Sequence, residues 1–388
     1  MSKILPLDAR AATTALKQPK ELTAYARDGA GNFVFDKAVV DAEHLSYYYF
    51  PDSQVDANID LSGGFKHFKK IDEETQVRGD FHSFLHALML SERAARKKTA
   101  GQVFTFRGNM TKLLTLPYFD RDALDFYVVP FDGQLFIVNN VAKEMARRQL
   151  QQEDEMTRKL QFSGYKFEAV TTLRQPWAAT PRAVIEKRYK EPVSNYEQYL
   201  AVVSTGIGKI RTVLGGELDC VWDYKPDASS YKTDDPLEHY VELKTLKVIQ
   251  SPGQVANFER KLFKTWAQCF LMGVRKVVYG FRDESLVLKS VEQYSTEEIP
   301  LLIKNNPLAD GTVSRKVNCM EALKWYGAAL EFITSTVKAD GRGLWVLSFN
   351  TETRKLELVE SEDEEEIARV RGEVISEDFA QWRAELAA

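Results

Sequence analysis

The sequence predicts an α/β protein in which mixed, twisted β-sheets are flanked by helices within a single domain spanning residues 1–388. Two observations predict this class. Short segments such as Gly216–Trp222 and Tyr240–Thr245 alternate charged and apolar residues, and alternate side chains of a strand share a face. Long patterns with helical spacing, one of them following Ser251, lie between such segments. This mixture is typical of sheets covered by helices.

Further elements follow in chain order. The aromatic run His44–Phe50 is expected to pack in the core and the sheets, with base stacking as the alternative. A helix is predicted over Phe81–Lys97, a strand at Lys276–Phe281 and another helix from Glu321 onward. The acidic segment Glu360–Glu366 is predicted to be a solvated loop or an exposed helix start, with a partner-binding element as the alternative.

The two charged strand-like segments predict one acidic wall. Glu217 and Asp219 would share a face, as would Glu242 and Lys244. The stretch between them, residues 224–236, is rich in turn formers, so the two strands are expected to pair within one sheet. Three carboxylates and one ammonium group would then lie together on that sheet.

This concentration of carboxylates favours a divalent metal, because like charges placed close together raise one another's pKa. Oxygen ligands suit magnesium or manganese. Gly164–Glu168 ends an alternating stretch and adds another carboxylate, and Lys244 is well placed to steady an attacking water. These are the groups required for metal-dependent phosphodiester hydrolysis. Solvated charges at a sheet edge are the alternative interpretation.

A long helix is predicted after Ser251, which is an N-cap candidate followed by Pro252 at the first helical position and Gln254 at the capping-box position. Its predicted core-facing stripe comprises Val255, Phe258, Leu262, Trp266 and Cys269. A separate polar stripe comprises Lys261, Lys264, Thr265 and Gln268. The two lysines of that stripe are candidates for contact with nucleic-acid phosphates, or simply a solvated basic face.

Four short stretches resemble the motifs of the DXO decapping exoribonuclease family: Phe106–Asn109, Gly164–Glu168, Glu217–Asp219 and Glu242–Lys244. The resemblance covers most of the chain. It is closest to the fungal nuclear branch, whose members bind and activate the nuclear XRN-type 5′→3′ exoribonuclease. The segments that indicate this branch are Thr14–Glu21, Val184–Arg188 and Phe258–Trp266.

The resemblance implies specific roles for individual residues. The metals, expected to be two Mg²⁺ or Mn²⁺ ions, would be held by Glu168, Glu217, Asp219, Glu242 and the main-chain carbonyl of Leu243. Lys244 would orient or activate the nucleophilic water. Arg107 and Gln268 would face the RNA 5′ end. Without the resemblance, a surface ion pair is the favoured interpretation of Arg107, although Gly108 behind it permits a close approach of the backbone to a ligand, and the planar guanidinium is suited to phosphate oxygens.

The resemblance also implies an activity: hydrolysis at RNA 5′ ends that are triphosphorylated, incompletely capped or capped by a nucleotide cofactor such as NAD. Exonuclease activity on the RNA body, binding to the nuclear exoribonuclease and a nuclear location are implied in the same way. Trp177 is a candidate partner contact, with core packing the favoured interpretation. Two other classes stay open: a mainly non-catalytic subunit that stabilises the exoribonuclease, and a restriction-like DNA nuclease.

Composition limits the remaining possibilities. A net charge of −4 over 388 residues argues against nucleic-acid binding through overall basicity, but a local cleft does not require it. The chain lacks an apolar run near the length of a membrane span and a signal-peptide core, so an intracellular protein is expected. Its three cysteines, Cys220, Cys269 and Cys319, have no metal-ligand spacing and are expected to be buried thiols.

Overall fold

The computed structural model describes residues 2–51, 54, 57–150, 153–307 and 316–387. Within these residues, two mixed sheets are flanked by helices, which confirms the predicted fold class. The strands are β1 (Lys3–Pro6), β2 (Leu16–Arg27), β3 (Phe33–Val34), β4 (Tyr47–Tyr48), β5 (Val103–Phe106), β6 (Leu124–Phe131), β7 (Gln134–Asn139), β8 (Thr172–Leu173), β9 (Gln198–Ile207), β10 (Ile210–Leu218), β11 (Cys220–Val221), β12 (Tyr240–Lys247), β13 (Lys276–Arg282), β14 (Leu288–Ser295), β15 (Trp345–Asn350) and β16 (Lys355–Glu360). The helices are α1 (Lys37–Val39), α2 (Glu73–Arg78), α3 (Phe81–Ala95), α4 (Arg107–Thr115), α5 (Val141–Leu150), α6 (Glu155–Thr171), α7 (Arg182–Lys187), α8 (Pro252–Met272), α9 (Ile299–Asn305), α10 (Cys319–Thr336), α11 (Glu364–Val374) and α12 (Glu377–Ala387).

The larger sheet has ten strands in the order β1-β16-β15-β6-β7-β5-β10-β9-β2-β3. Within it, β5 runs parallel to both β7 and β10, and the other pairs are antiparallel. The smaller sheet has six strands in the order β14-β13-β12-β11-β4-β8, with β12 parallel to β13. Both sheets are therefore mixed, as predicted.

The two charged segments do not form one wall of a single sheet, which corrects the sequence prediction. Glu217 belongs to β10 of the larger sheet, where it lies opposite Leu200. After Leu218 the chain leaves that sheet, and Cys220 pairs antiparallel with Val241 in the smaller one. Only the second half of the first segment thus pairs with its predicted neighbour. Asp219 lies at the crossing between the sheets.

Gly164–Glu168 forms part of helix α6 and not the end of a strand, so that prediction was wrong. The helix begins after Asp154, whose side chain accepts a hydrogen bond from the Thr157 backbone N–H at 2.6 Å. Phe162 and Phe167 are both fully buried. Packing of this apolar face decides the local structure, because tertiary burial stabilises a helix more strongly than local preference does.

Helix α8 begins at the predicted Ser251 N-cap and ends at Gly273, whose φ of 77° lies in the left-handed region that favours glycine. The Gln254 side chain accepts the backbone N–H of Gln250, one residue before the N-cap. Three residues of the core-facing stripe, Leu262, Trp266 and Cys269, are buried, and Val255 and Phe258 are half-buried.

The polar stripe of α8 is only partly as predicted. Lys261 and Lys264 are exposed and Gln268 is half-buried. Thr265 is buried and shares a 2.8 Å hydrogen bond with the Tyr279 hydroxyl. Thr265 therefore belongs to the packing between α8 and the smaller sheet.

Several other predictions are confirmed. The helix predicted over 81–97 is α3, the acidic segment contains the exposed start of α11, and all three cysteines are buried and free. In the aromatic run, Tyr48 pairs within the smaller sheet and stacks on Trp222 with ring centroids 4.8 Å apart. Among the described residues, no helix combines the length and the apolar character that crossing a bilayer requires.

Trp177 does not pack in the core, although core packing was the favoured interpretation. Its side chain is 61% exposed. It stacks on Tyr49 with ring centroids 6.4 Å apart and an interplanar angle of 10°. Trp177 is therefore a surface residue with one aromatic neighbour, Tyr49.

Candidate active site

The acidic residues meet where the chain passes from one sheet to the other. Glu217 is the last residue but one of β10, Asp219 follows the strand, and Glu242 lies on β12 next to the crossing. The backbone N–H of Leu243 donates a 2.6 Å hydrogen bond to Asp219 Oδ2, which ties the crossing segment to β12. Helix α6 brings Glu168 into the electrostatic field of Asp219 and Glu217.

Two glycines allow the neighbouring helices to approach this junction. A Cβ atom added at Gly280 of β13 would lie 2.5 Å from the Phe167 ring, so only glycine leaves room for α6 at that height. A Cβ atom at Gly216 would lie 3.1 Å from the Arg107 Cβ atom. The absence of side chains at these positions places Glu168 and Arg107 beside the strands.

Glu242 is the most constrained carboxylate of the group, with a side chain only 1% exposed. Its Oε2 atom accepts a 3.0 Å hydrogen bond from Arg107 Nη1, and its Oε1 atom accepts a 2.5 Å bond from Lys244 Nζ. Burial alone raises a carboxyl pKa, but the Arg107 and Lys244 charges outweigh it and lower the pKa of Glu242 to about 2. Glu242 is therefore ionised at neutral pH.

The other carboxylates have the opposite shift. Burial, together with the charges of Glu242 and Glu217, raises the pKa of Asp219 to about 7. Burial also raises the pKa of Glu217, against the opposing charge of Arg107. The pKa of Glu168 is raised well above its ordinary value by burial and by the Asp219 and Glu217 charges. Two cations are thus too few for four neighbouring carboxylates.

This excess of buried negative charge suits a divalent cation, because a hard cation prefers carboxylate oxygens and stabilises their ionised form. Among the described residues, no three acidic, cysteine or histidine side chains already converge on one ion position. The chemistry of the donor set fits a metal all the same. Glu168, Glu217, Asp219 and Glu242 are the residues that could supply oxygen ligands, and Arg107 and Lys244 now occupy both oxygens of Glu242.

Gln268, which is predicted to face the RNA 5′ end, lies on helix α8. It is half-buried on α8 and makes no hydrogen bond to the acidic residues within the described chain. Burial and the Glu242 charge raise the pKa of the neighbouring Cys269 thiol. Lys264 lies over the Phe119 ring at 5.4 Å. Helix α8 therefore flanks the site, with Gln268 at its margin.

Sequence reasoning missed two polar residues of the site. Gln198 on β9 donates a 3.2 Å hydrogen bond to Glu217 Oε2 and so orients that carboxylate. Tyr165 lies one turn before Glu168, and burial with the nearby Glu217 and Glu168 charges raises its pKa. Tyr165 was within a recognised motif, whereas Gln198 had no local signal, because its pairing with Glu217 depends on the register of β9 with β10.

Comparisons with known proteins identify the family of this chain. Residues 17–380 match the family described as RAI1-like PD-(D/E)XK nuclease. A relative from Debaryomyces hansenii, named decapping nuclease RAI1, is 51% identical over 392 residues, which cover 100% of this chain and 99% of the relative. The predicted family resemblance, including its fungal branch, is confirmed.

Two solved structures are similar over nearly the full length. Candida albicans Rai1, in complex with pU5 and Mn²⁺, has a TM-score of 0.94 and 46% identity, covering 100% of both chains. Scheffersomyces stipitis Rai1, in complex with (3′-NADP)⁺ and a calcium ion, has a TM-score of 0.91 and 48% identity, covering 99% of this chain and 100% of the other. The shared fold extends through every element that forms the site.

Proposed function

The chain belongs to the family of RAI1-like PD-(D/E)XK nucleases, and we propose that it is a divalent-metal-dependent hydrolase of RNA 5′ ends. One observation carries the proposal. Four carboxylates, Glu168, Glu217, Asp219 and Glu242, surround the crossing between the sheets with only two cations to balance them. Such a group attracts a hard divalent cation and, through it, a phosphate.

The proposed substrates are RNAs with 5′-triphosphates, from which pyrophosphate is removed, and RNAs with incomplete or NAD-type caps. Two similar proteins support this choice. Candida albicans Rai1 forms a complex with pU5 and Mn²⁺, and Scheffersomyces stipitis Rai1 forms one with (3′-NADP)⁺ and calcium. A phosphate-bearing 5′ end and a nucleotide cofactor are the two classes of group that this activity must accommodate. The protein would thereby act in 5′-end quality control.

The proposed metal ligands are Glu168, Glu217, Asp219, Glu242 and the main-chain carbonyl of Leu243, with two Mg²⁺ or Mn²⁺ ions expected. Bound metal would stabilise the charge that develops on the attacked phosphate and on the leaving oxygen. The Leu243 N–H donates to Asp219 Oδ2 and so restrains this carboxylate. Gln198 restrains Glu217 in the same manner.

Lys244 is proposed to hold the attacking water. Burial disfavours its charge, but Glu242 and Asp219 raise its pKa above the ordinary value. Lys244 therefore stays protonated and can only donate hydrogen bonds, so it orients the water and does not remove its proton. A protonated lysine beside the attacked phosphate also favours the negative charge that develops there.

Arg107 and Gln268 are proposed to face the RNA 5′ end. The guanidinium of Arg107 uses Nη1 on Glu242, and its planar fork carries further N–H groups suited to phosphate oxygens. Its side chain is 12% exposed, so it is reachable from the cleft. The amide of Gln268, which is half-buried on α8, is proposed to contact the outer part of the 5′ group.

We also propose that the protein binds and stimulates a nuclear XRN-type 5′→3′ exoribonuclease and works in the nucleus. Release of the 5′ group leaves a 5′-monophosphate, which that class of exonuclease degrades, so a physical partnership would couple the two steps. The exposed Trp177, stacked on Tyr49, supports a partner surface outside the active site. The second proposal is that the protein is mainly a non-catalytic subunit that stabilises this exoribonuclease.

The test is product analysis of 5′-triphosphate, unmethylated-cap and 5′-monophosphate RNAs with Mg²⁺ or Mn²⁺. We expect the wild type to release the 5′ group and the Glu217→Ala/Asp219→Ala variant to fall to background, a loss of at least about 100-fold. The Glu364→Ala/Glu365→Ala variant, which removes two exposed carboxylates of α11, is the matched control.

Three other results would change the conclusion. Cleavage of 5′-monophosphate RNA would add exonuclease activity. Equal turnover by wild type and the Glu217→Ala/Asp219→Ala variant would contradict the proposed site, and no turnover in either would favour the stabilising subunit. A preference for duplex DNA over all three RNAs would instead identify a restriction-like DNA nuclease.

A further inference from the structure

The segment Phe65–Lys70 alternates aromatic and basic side chains beside the candidate active site. Its sequence is Phe-Lys-His-Phe-Lys-Lys, and no motif recognised in the sequence includes it. Interleaved aromatic and cationic groups are the two components of sites that bind single-stranded nucleic acid: the cations contact phosphates and the rings hold the protein surface or the bases. The segment therefore has the composition of a surface that binds single-stranded nucleic acid.

The aromatic residues of the segment fix it on helix α6. Phe65 and Phe68 both pack edge-on against Phe162, with ring centroids 5.6 and 5.2 Å apart. The backbone is also tied to the chain before β9, because the Lys69 N–H donates to the Val193 carbonyl at 3.1 Å. The aromatic contacts and the backbone hydrogen bond together fix the backbone of the segment. The backbone positions from which its charged side chains extend are therefore defined.

The basic residues of the segment face outward. Lys66, His67, Lys69 and Lys70 are all exposed. Lys70 has an ion-pair partner in Glu73, at 3.7 Å. Within the described chain, Lys66 and Lys69 have no carboxylate within 4.0 Å, although Glu155 lies in the field of Lys66. Two cations on a chain with a net charge of −4 are thus left available for an external anion.

Tyr165 joins this segment to the active site. Its ring packs against Phe68 with centroids 5.3 Å apart, and its hydroxyl accepts a 3.3 Å hydrogen bond from Gln76. Tyr165 precedes Glu168 by three residues on α6, so the two side chains share a helix face. Burial and the Glu217 and Glu168 charges raise the Tyr165 pKa, which is consistent with this position at the cleft wall.

We propose that the segment Phe65–Lys70 is a track for the RNA backbone, in which Lys66 and Lys69 contact phosphates on the 3′ side of the reacting end. This inference rests on the proposed function, since it extends the same cleft along the substrate. The ligand is single-stranded RNA several nucleotides long. A 5′ group with one or two nucleotides would end before the track and would not require it.

The first test compares substrate lengths. The Lys66→Ala/Lys69→Ala variant is assayed on a 5′-triphosphorylated dinucleotide and on a 5′-triphosphorylated RNA of about 20 nucleotides. We expect KM for the long RNA to rise about fivefold to tenfold with kcat unchanged, and the dinucleotide to be turned over as by the wild type. The Lys66→Arg/Lys69→Arg variant should restore KM, because it keeps both charges.

The matched control is Lys209→Ala/Lys355→Ala, which removes two exposed lysines far from the cleft. Lys209 lies in the turn before β10, eight residues from Glu217, or about 26 Å along the strand. Lys355 begins β16 near the opposite edge of the larger sheet. The control keeps the same net charge as the test variant, so any difference between them reports position and not overall charge.

The second test measures binding without turnover. In the Glu217→Ala/Asp219→Ala background, fluorescence anisotropy of a labelled 5′-monophosphate RNA of about 20 nucleotides is recorded over a range of salt concentrations. Loss of Lys66 and Lys69 should reduce the slope of log K against log salt by about 1.4, because each phosphate contact to a single strand contributes about 0.7.

The outcomes are distinct. The inference is overturned if the test variant matches the control on long RNA, if it loses activity equally on both substrates, or if Lys261→Ala/Lys264→Ala alone weakens long-RNA binding, which would place the track on α8. Failure of the wild type to release any 5′ group would refute the proposed function. The binding measurement would then still decide whether Lys66 and Lys69 contact RNA.

Discussion

Two buried groups of charges in this molecule are built in opposite ways. The first joins the C-terminal helix to α3: Arg383 and Glu92 have side chains 1% and 0% exposed. Arg383 donates to both oxygens of Glu92, at 2.8 and 2.7 Å. Those oxygens also accept hydrogen bonds from the Trp382 indole and the Thr99 backbone, and Gln134 accepts one from Arg383.

The second group is the candidate active site. There, both Arg107 and Lys244 donate hydrogen bonds to the same carboxylate, Glu242. Asp219 and Glu217 stay near each other with raised pKa values. In the α3–α12 group every charge is matched inside the protein, and in the site it is not. A buried pair contributes to structure when its partners are complete, whereas unmatched charge is a place for a ligand.

We expect the largest effect from a substitution that breaks the fully paired α3–α12 charge group. Replacing Glu92→Ala leaves the Arg383 guanidinium buried without its main partner and should lower the free energy of unfolding by about 3–5 kcal/mol. Urea denaturation measures this change. The control Glu373→Ala removes exposed pairs with Arg78 and Arg369 and should cost at most about 1 kcal/mol. Equal losses in the two variants would mean that the buried α3–α12 group stabilises the protein no more than exposed ion pairs do.

The next prediction concerns the candidate active site, where a bound divalent metal ion would balance the unmatched carboxylates. Mn²⁺ or Mg²⁺ at 100 times its dissociation constant should stabilise the wild type by about 2.7 kcal/mol, seen as a rise in Tm, because the ion binds only the folded site. The Glu217→Ala/Asp219→Ala variant should show no such rise, and Glu364→Ala/Glu365→Ala should behave as the wild type. A metal-dependent rise that survives in the first variant would contradict the proposed ligands.

A third effect is the pH dependence of the metal-free protein in EDTA. The pKa of Asp219 is raised to about 7 from an ordinary value of about 4. Between these values the folded state retains a proton that the unfolded chain releases, so stability falls as the pH rises from about 4 to about 7. Urea unfolding at several pH values should show a shallower fall for Asp219→Asn. Parallel curves for the variant and the wild type would contradict the raised pKa.

The sequence predicted which charged residues lie together better than it predicted how the folded chain brings them together. Charged residues at every second position in Glu217–Asp219 and Glu242–Lys244 are visible because strand geometry repeats every two residues. The same logic failed for Glu168, because five residues around Gly164 are too few to separate a helix from a strand when both patterns fit. The position of that carboxylate depends on Phe167 packing against Gly280, a contact made only in the folded chain.

Long-range contacts explain the other differences. The position of Trp177 depends on its stacking on Tyr49, a residue far away in the sequence. The partner of Arg383 lies 291 residues earlier, and neither residue has a local pattern that announces the pair. The separation of Glu217 from Glu242 into two sheets likewise follows from the passage of the chain from one sheet to the other at Asp219. Local periodicity contains none of this information.

The crossing at Asp219 makes the assembly of the whole fold a precondition for cutting RNA. Glu217 is set by the larger sheet and Glu242 by the smaller one, and Glu168 arrives only when its helix settles against Gly280. A chain still emerging from the ribosome, or one with a single sheet formed, holds its carboxylates apart. The candidate site therefore requires both sheets and helix α6 to be in place.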